Sequence, residues 1–197
     1  MKNLSFILLF LLIFTSCKDQ DALEKANSFY NSGEYKKAIK FYNEHLEMKP
    51  SHEIATYNRG RAYEELGEFQ KAILDYKKVI DINPRNENAY LSLGKDYYRQ
   101  KDFENAAFQF EKAYKLNTNS SQAATLLARA YHKSGKVENA MEYYDIAINN
   151  DNKNAEAYLY RGALKIHLNQ SGGCNDIQMA KNIGYDGAED LYNKYCN

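Results

Sequence analysis

The sequence predicts an all-α chain built as a tandem array of helical hairpins, and three observations predict it. Small residues recur at Ala26, Gly60, Gly94, Ala128 and Gly162 in steps of 34, and a second small series at Ala38, Ala72, Ala106 and Ala140 keeps the same period. Large residues hold that register at Phe29, Tyr63, Tyr97 and Tyr131, and again at Tyr42, Tyr76, Phe110 and Tyr144. Only two prolines and ten glycines interrupt 197 residues, so long unbroken helices are expected. Several columns at one period mark a repeat array in which each unit buries its apolar face against the next.

Each element follows from these columns. Gly94 and Ala106 are small so that the two helices of one unit approach closely, and Tyr97 and Phe110 are expected to fill the gap between that pair and the next. Gly33, Gly67 and Gly135 end the first helices in left-handed turns, with Lys101 in the fourth place. Tyr35, Phe69 and Phe103 open the second helices and pin them to their partners. Within a unit, Ala72, Ile73, Tyr76, Val79 and Ile80 have helical spacing. Pro50 and Pro84 close two units, while Thr118 and Asn152 stand in their place later.

These columns resemble the tetratricopeptide repeat, and YNRGRAYEELGEFQKAILDYKKVIDINP, residues 57–84, is similar to it over its whole length. The resemblance implies a right-handed helical-hairpin solenoid of about five units, 19–52, 53–86, 87–120, 121–154 and 155 onward, with a C-terminal capping helix. The array is expected over 22–169, and a degenerate last helix plus the cap over 170–197. In the fifth unit Lys165 replaces the expected Tyr, and the second helix comes one residue early.

The N-terminus has a different character. Lys2 precedes nine consecutive apolar residues, Phe6 to Phe14, followed by Thr15, Ser16 and Cys17. A membrane-spanning helix needs about 20 apolar residues, so this run reads as the core of a secretory signal. The border resembles the lipobox of bacterial lipoproteins, with Phe14 where that family favours Leu. That resemblance implies a signal peptide over 1–16, lipidation of Cys17 and a short polar tether over 17–21; the alternatives are an ordinary signal with a chance cysteine, or an uncleaved anchor. The implied address is the bacterial cell envelope. The outer membrane is expected there, on its periplasmic or surface face, with the inner membrane as the alternative.

At the other end, Cys174–Ile183 and AEDLYNKYC read as two helices turning about Gly184. Cys174 lies ten residues before that turn and Cys196 twelve after it, so antiparallel packing brings them together. In an exported chain a Cys174–Cys196 disulfide is expected, closing a loop of about 20 residues and contributing on the order of 3 kcal/mol. The alternative is two buried free thiols.

Composition narrows function. The charges balance at 26 basic against 26 acidic, and loss of residues 1–16 removes only Lys2, so no global field for nucleic acid exists. His45, His52, His132 and His167 have no metal-ligand spacing, His45 falls on an inward packing position, and no Gly-rich phosphate loop or G-x-S-x-G occurs. No enzymatic activity, metal or cofactor is expected.

The repeat family places binding on the concave face, lined by the first helix of each unit. Projection through the shared register puts Asn27, Tyr30 and Asn31 there, then Tyr57, Asn58, Arg61 and Glu65. The next two units add Leu91, Lys95, Tyr98 and Arg99, then Thr125, Arg129, His132 and Lys133. Arg61, Lys95, Arg99, Arg129 and Lys133 are expected to converge beside the tyrosines, which suits an extended acidic peptide or a free carboxylate. A chaperone-tail carboxylate clamp is not supported: Asn27 and Asn58 match its asparagines, but Leu23, Asn88 and Ser92 stand where its cations belong. The reading is a lipid-anchored scaffold that recruits another envelope protein. The rivals are glycan stacking on Tyr30, Tyr57 and Tyr98, and self-association through an uncapped end.

Overall fold

The computed structural model describes residues 21–196. The leader 1–16, Cys17 and most of the expected tether lie outside the described residues. Among those described there are eleven helices and no strand, the all-α class that the period predicts. First helices of hairpins are α1 (residues 21–31), α3 (Glu53–Glu65), α5 (Glu87–Arg99), α7 (Ser121–Lys133) and α9 (Ala155–His167). Second helices are α2 (Tyr35–Met48), α4 (Phe69–Ile82), α6 (Phe103–Leu116), α8 (Val137–Asn150) and α10 (Gly173–Ile183), and α11 (Ala188–Tyr195) ends the chain. Asp21, placed in the tether by the sequence reading, is helical here and pairs with Lys25 at 2.6 Å.

The chain divides into two compact units, one running to Ala89 and the other from Tyr90, so that only the first turn of α5 belongs to the first. In the first unit, Ala26, Ala38, Tyr42, Leu46 and Ala55 form a core between α1, α2 and α3. In the second, Leu91, Phe110, Leu127 and the alanines around them join α5, α6 and α7, and a further cluster around Tyr144 joins α7, α8 and α9.

Close approach within each hairpin decides these cores. A Cβ added to Gly94 would lie 2.5 Å from Phe110 Cε1, and one added to Gly60 would lie 2.9 Å from Tyr76 Cε1. Phe110 therefore lies on Gly94 of its own hairpin and, as expected, also belongs to the core that joins that hairpin to α7 of the next. The ring needs a flat floor, and only glycine provides one at that distance. In the last hairpin Ile177 Cγ1 would meet a Cβ on Gly162 at 2.9 Å, so Ile177 takes the ring's place after the one-residue shift.

The turns follow their chemistry. Gly33, Gly67 and Gly135 have φ of 78°, 73° and 77°, and Lys101 in the same place is held at 63°. Tyr98 and Phe103 meet edge to face across that Lys101 turn at 5.1 Å, as Tyr30 and Tyr35 do at 5.5 Å across the turn at Gly33. Proline is not what stops the second helices. α2 and α4, followed by Pro50 and Pro84, have 14 residues, and so do α6 and α8, which lack it. Asn83 Oδ1 accepts from Arg85 N at 3.0 Å and Asp151 Oδ1 from Lys153 N at 2.9 Å, so the same side-chain turn forms with and without proline.

Polar clusters tie neighbouring helices. Arg59 donates through Nε to Asp75 Oδ2 at 2.8 Å and through Nη2 to Oδ1, while Nη1 reaches Asn43 at 2.7 Å. Three periods later, Arg161 donates through Nε and Nη2 to Asp176 at 2.8 and 2.6 Å and through Nη1 to Asp145 at 2.6 Å. Lys165, which departs from the repeat pattern, adds a 2.8 Å contact to Asp176. The register equivalents in the intervening hairpins are the buried Leu93 and Leu127.

The cap turns through Gly184 and Gly187, both left-handed. Leu191 and Tyr195 of α11 face Ala163, Ile166 and Ile177 around a shallow apolar cavity. The Cys174 and Cys196 sulfurs lie 2.13 Å apart with their Cα atoms at 5.5 Å, a disulfide joining α10 to the end of α11.

The Gly94 contact gives a direct test. Gly94→Ala is expected to destabilise by about 1–3 kcal/mol, because Phe110 must leave its seat. Phe110→Leu in the same chain should recover part of that loss, measured as urea midpoints. Equal stability of Gly94→Ala and wild type would contradict the packing described.

Candidate functional site

The first helices carry most of the candidate side chains. In the first unit, Asn27 Oδ1 accepts from Tyr42 Oη at 2.7 Å and, more weakly, from Asn58 Nδ2 at 3.4 Å, so these asparagines are used inside the fold. The Tyr42 hydroxyl is pushed up to about 12, burial outweighing its hydrogen bond to Asn58. The Arg61 guanidinium lies over the Tyr30 ring, 5.0 Å from its centroid, and makes no ion pair among the described residues. Tyr57 is half-buried, 5.5 Å from the Tyr76 ring, and Asn31 is exposed. Glu65 is exposed, whereas Glu64 accepts from the Tyr76 hydroxyl.

The second unit is more built. Arg129 of α7 lies between two rings, 5.2 Å from the Tyr98 centroid and 4.8 Å from that of Tyr160. Its Nη1 donates to Glu156 Oε1 at 2.6 Å. Burial opposes the Arg129 charge, but Tyr160, Glu156 and Tyr98 outweigh it and hold its pKa above the ordinary value. Beneath them, Tyr144 of α8 is fully buried, its ring stacked 6.5 Å from that of Tyr160. Burial drives its hydroxyl pKa upward, against the opposing pull of Arg129. Tyr185, on the turn between Gly184 and Gly187, lies beside Tyr160 and Glu156, with its hydroxyl pushed up to about 12 by burial first and those neighbours next.

The expected basic groove is corrected in part. Arg99 pairs at 2.7 Å with the buried Asp96, and Arg129 pairs with Glu156, so neither adds net charge to its face. Lys95 is half-buried and Lys133 exposed, and neither makes an ion pair among the described residues. Leu91 and Thr125 are buried core residues and present nothing to a ligand. His132 is half-buried; burial first, then Lys133 and His167, lowers its pKa from 6.5, leaving it neutral near pH 7. His45 is buried as expected and shares a 2.7 Å hydrogen bond with His52. Among the described residues no group of three or more His, Cys, Asp and Glu side chains could hold a metal, and no helix is long and apolar enough to cross a membrane.

Glu156, Tyr160 and Tyr185 were missed by sequence reasoning, which placed Tyr144 in the core alone. Tyr160 was accessible to it, standing three periods after Asn58. A second signal was a Tyr-to-Arg spacing of 31, which gives a stacked pair both at Tyr30–Arg61 and at Tyr98–Arg129.

Two outcomes check this geometry. Tyr42→Phe deletes a hydrogen bond and should cost about 1 kcal/mol, whereas the Tyr144 hydroxyl is buried with no partner, so Tyr144→Phe should be neutral or stabilising in chemical denaturation. The His132 ring should titrate below 6.5 by NMR. Its folded pKa is lowered, so on acidification the unfolded chain takes up the proton first. Stability should therefore fall as pH drops below about 6.5, and His132→Gln should flatten that slope.

Comparison with known proteins agrees with this architecture. Models described as tetratricopeptide repeat match residues 23–52 and 91–157, and one described as TPR repeat matches 60–101. No curated protein sequence matches the chain. Among solved structures, MamA superposes with a TM-score of 0.76 at 22% identity, covering 86% of this chain and 97% of its own. MamA residues 41 to the end from Desulfovibrio magneticus RS-1 give 0.73 at 18%, covering 91% and 98%. YrrB, described as a TPR protein with an unusual peptide-binding site, gives 0.74 at 20%, covering 88% and 90%. Sequence matches and fold converge, and the repeats over residues 23–52 and 60–157 belong to the tetratricopeptide-repeat family.

Proposed function

We propose that this protein is a non-catalytic interaction module that holds a peptide segment of another envelope protein on its first-helix faces. Lipid on Cys17 anchors it to the membrane in this reading. The observation that carries the reading is the recurring stack of arginine on tyrosine, Arg61 on Tyr30 and Arg129 on Tyr98, each on first helices of successive hairpins. Tyrosine and arginine are the residue types that most often dominate protein recognition, and stacking holds the long arginine side chain ready without loss of its hydrogen-bonding edge. The resemblance in fold to YrrB, described as having a peptide-binding site, supports the same reading. The N-terminal run Phe6–Phe14 with Thr15-Ser16-Cys17 supports the anchor.

The ion pairs of Arg99 and Arg129 shift the expected contact from bulk charge to individual side chains. Arg61 supplies the charge on the first unit, Lys95 and Lys133 supply it on the second, and the tyrosine rings of each unit supply the area. Glycan stacking is less favoured, because Tyr98 is engaged with Phe103 and Arg129 and Tyr30 with Tyr35 and Arg61.

The test is in-cell crosslinking with a photoreactive residue at position 31, in wild type and in the charge-reversed Arg61→Glu variant of the same unit. Wild type should sediment with membranes, incorporate labelled palmitate and yield one crosslinked protein, which the charge-reversed variant loses while keeping its helical circular dichroism. Cys17→Ser should lose both palmitate and membrane attachment. Equal crosslinking by the charge-reversed variant would place the site elsewhere, and unaltered labelling of Cys17→Ser would remove the anchor.

A further inference from the structure

The chain contains its own reference for how an arginine receives a carboxylate. Arg59 and Arg161 each present the Nε–Nη2 edge to both oxygens of one aspartate, Asp75 and Asp176, with Nε–O distances of 2.8 Å in both. Arg129 differs. Its contact with Glu156 is through Nη1, and its Nε is buried without a hydrogen-bond partner. The Tyr144 hydroxyl is likewise buried and unpartnered, on a side chain with no exposed surface. Two donors in one cluster of Tyr98, Arg129, Tyr144 and Tyr160 therefore lack an acceptor.

Buried donors are ordinarily satisfied, and leaving one unpaired is costly. The guanidinium is held between two rings, so its edge is oriented before any ligand arrives. The Arg129 side chain as a whole is 25% exposed while Nε itself is buried, so a ligand reaches that edge by displacing a flanking ring. Glu156 neutralises the charge without filling the Nε edge.

We propose that the Nε edge of Arg129, with the Tyr144 hydroxyl as second donor, is a carboxylate subsite. It rests on the peptide-binding reading above and deepens it: the partner's segment places an acidic side chain or its C-terminal carboxylate here. A carboxylate accepts at two oxygens, which matches a bidentate arginine edge plus a hydroxyl. Tyr98 and Tyr160 flank the group and reduce competing hydration. Glu156 stays on Nη1 and compensates the arginine until the ligand arrives.

The experiment follows the Arg129 Nε–Hε resonance by NMR in the full chain during titration with three capped tripeptides. The first is acetyl-Gly-Tyr-Gly with a free carboxylate, the second is its C-terminal amide, and the third is acetyl-Gly-Asp-Gly amide. A saturable shift with the first probe alone assigns a C-terminal carboxylate, and a shift with the third assigns an acidic side chain. In either case the amide should be silent. Arg129→Lys keeps the charge but not the edge and should weaken binding at least tenfold, read from the neighbouring Glu156 amide. Tyr144→Phe should weaken it about threefold to tenfold with no loss of stability. If neither carboxylate probe shifts Nε, or if Arg129→Lys binds as well as wild type, the subsite is overturned and the two donors hold water only. Crosslinking at position 31 that survives Arg129→Lys unchanged, together with silent probes, removes the subsite and keeps the peptide reading. Loss of all crosslinking with intact probe shifts does the reverse.

Discussion

Two helices approach closely only where one of them has no side chain in the way, and each hairpin of this chain depends on such a place. Gly60 and Gly94 lie directly under the rings of Tyr76 and Phe110. Ala26 and Ala128 occupy the corresponding positions in the clusters around Tyr42 and Tyr144. All four aromatic side chains are fully buried, so each of the first four hairpins has one large ring set on a small-residue floor. Where the ring is tyrosine, the same geometry carries a hydroxyl from a second helix through the core toward the first-helix residues. Tyr42 meets Asn27 there and Tyr76 meets Glu64, while Tyr144 meets no acceptor. Packing and recognition are thus coupled, since the residue that fills the core also delivers a polar atom to the candidate face.

Arginine serves two purposes in the array, and its partners distinguish them. Arg59 and Arg161 are shielded in bidentate contacts that join neighbouring helices, and their register equivalents Leu93 and Leu127 do the same work by apolar burial. A buried ion pair and a well-packed leucine are energetically comparable solutions, so one register position tolerates both. Arg61 and Arg129 instead stack on tyrosine rings at the candidate face. Net charge therefore says little about that face. What matters is which nitrogens of each guanidinium are already committed.

The fold was legible because its information is periodic. One hairpin read correctly fixes the others, and substitutions such as Lys101 for glycine or Thr118 for proline do not disturb register. The site was legible only as a face. Asn27, Tyr30, Arg61, Tyr98 and Arg129 follow from projection of single helices, but ion pairing depends on side chains from different helices. Arg129 and Glu156 are 27 residues apart, off the period, so no column links them. Leu91 and Thr125 were assigned to the face by register although their side chains are buried, because register fixes direction and not depth. Tyr144 was read correctly as core. That its hydroxyl would lack an acceptor is a property of its neighbours, which no single column encodes.

The last hairpin shows what happens when periodic information ends. After α10 the repeat pattern gives way to α11, and α9 and α10 are covered by other means. Ile177 replaces the aromatic ring above Gly162, Asp176 gathers Arg161 and Lys165, and α11 is fastened to α10 through Cys174 and Cys196. The α10–α11 turn, between Gly184 and Gly187, then brings Tyr185 beside Tyr160 and Glu156. A first helix of a further repeat would stand next to α9 and supply that neighbour; here the cap supplies it with a single side chain. The cap is consequently part of the Arg129 cluster as well as of the core, which ties the most elaborated portion of the candidate face to the one helix outside the repeat among the described residues.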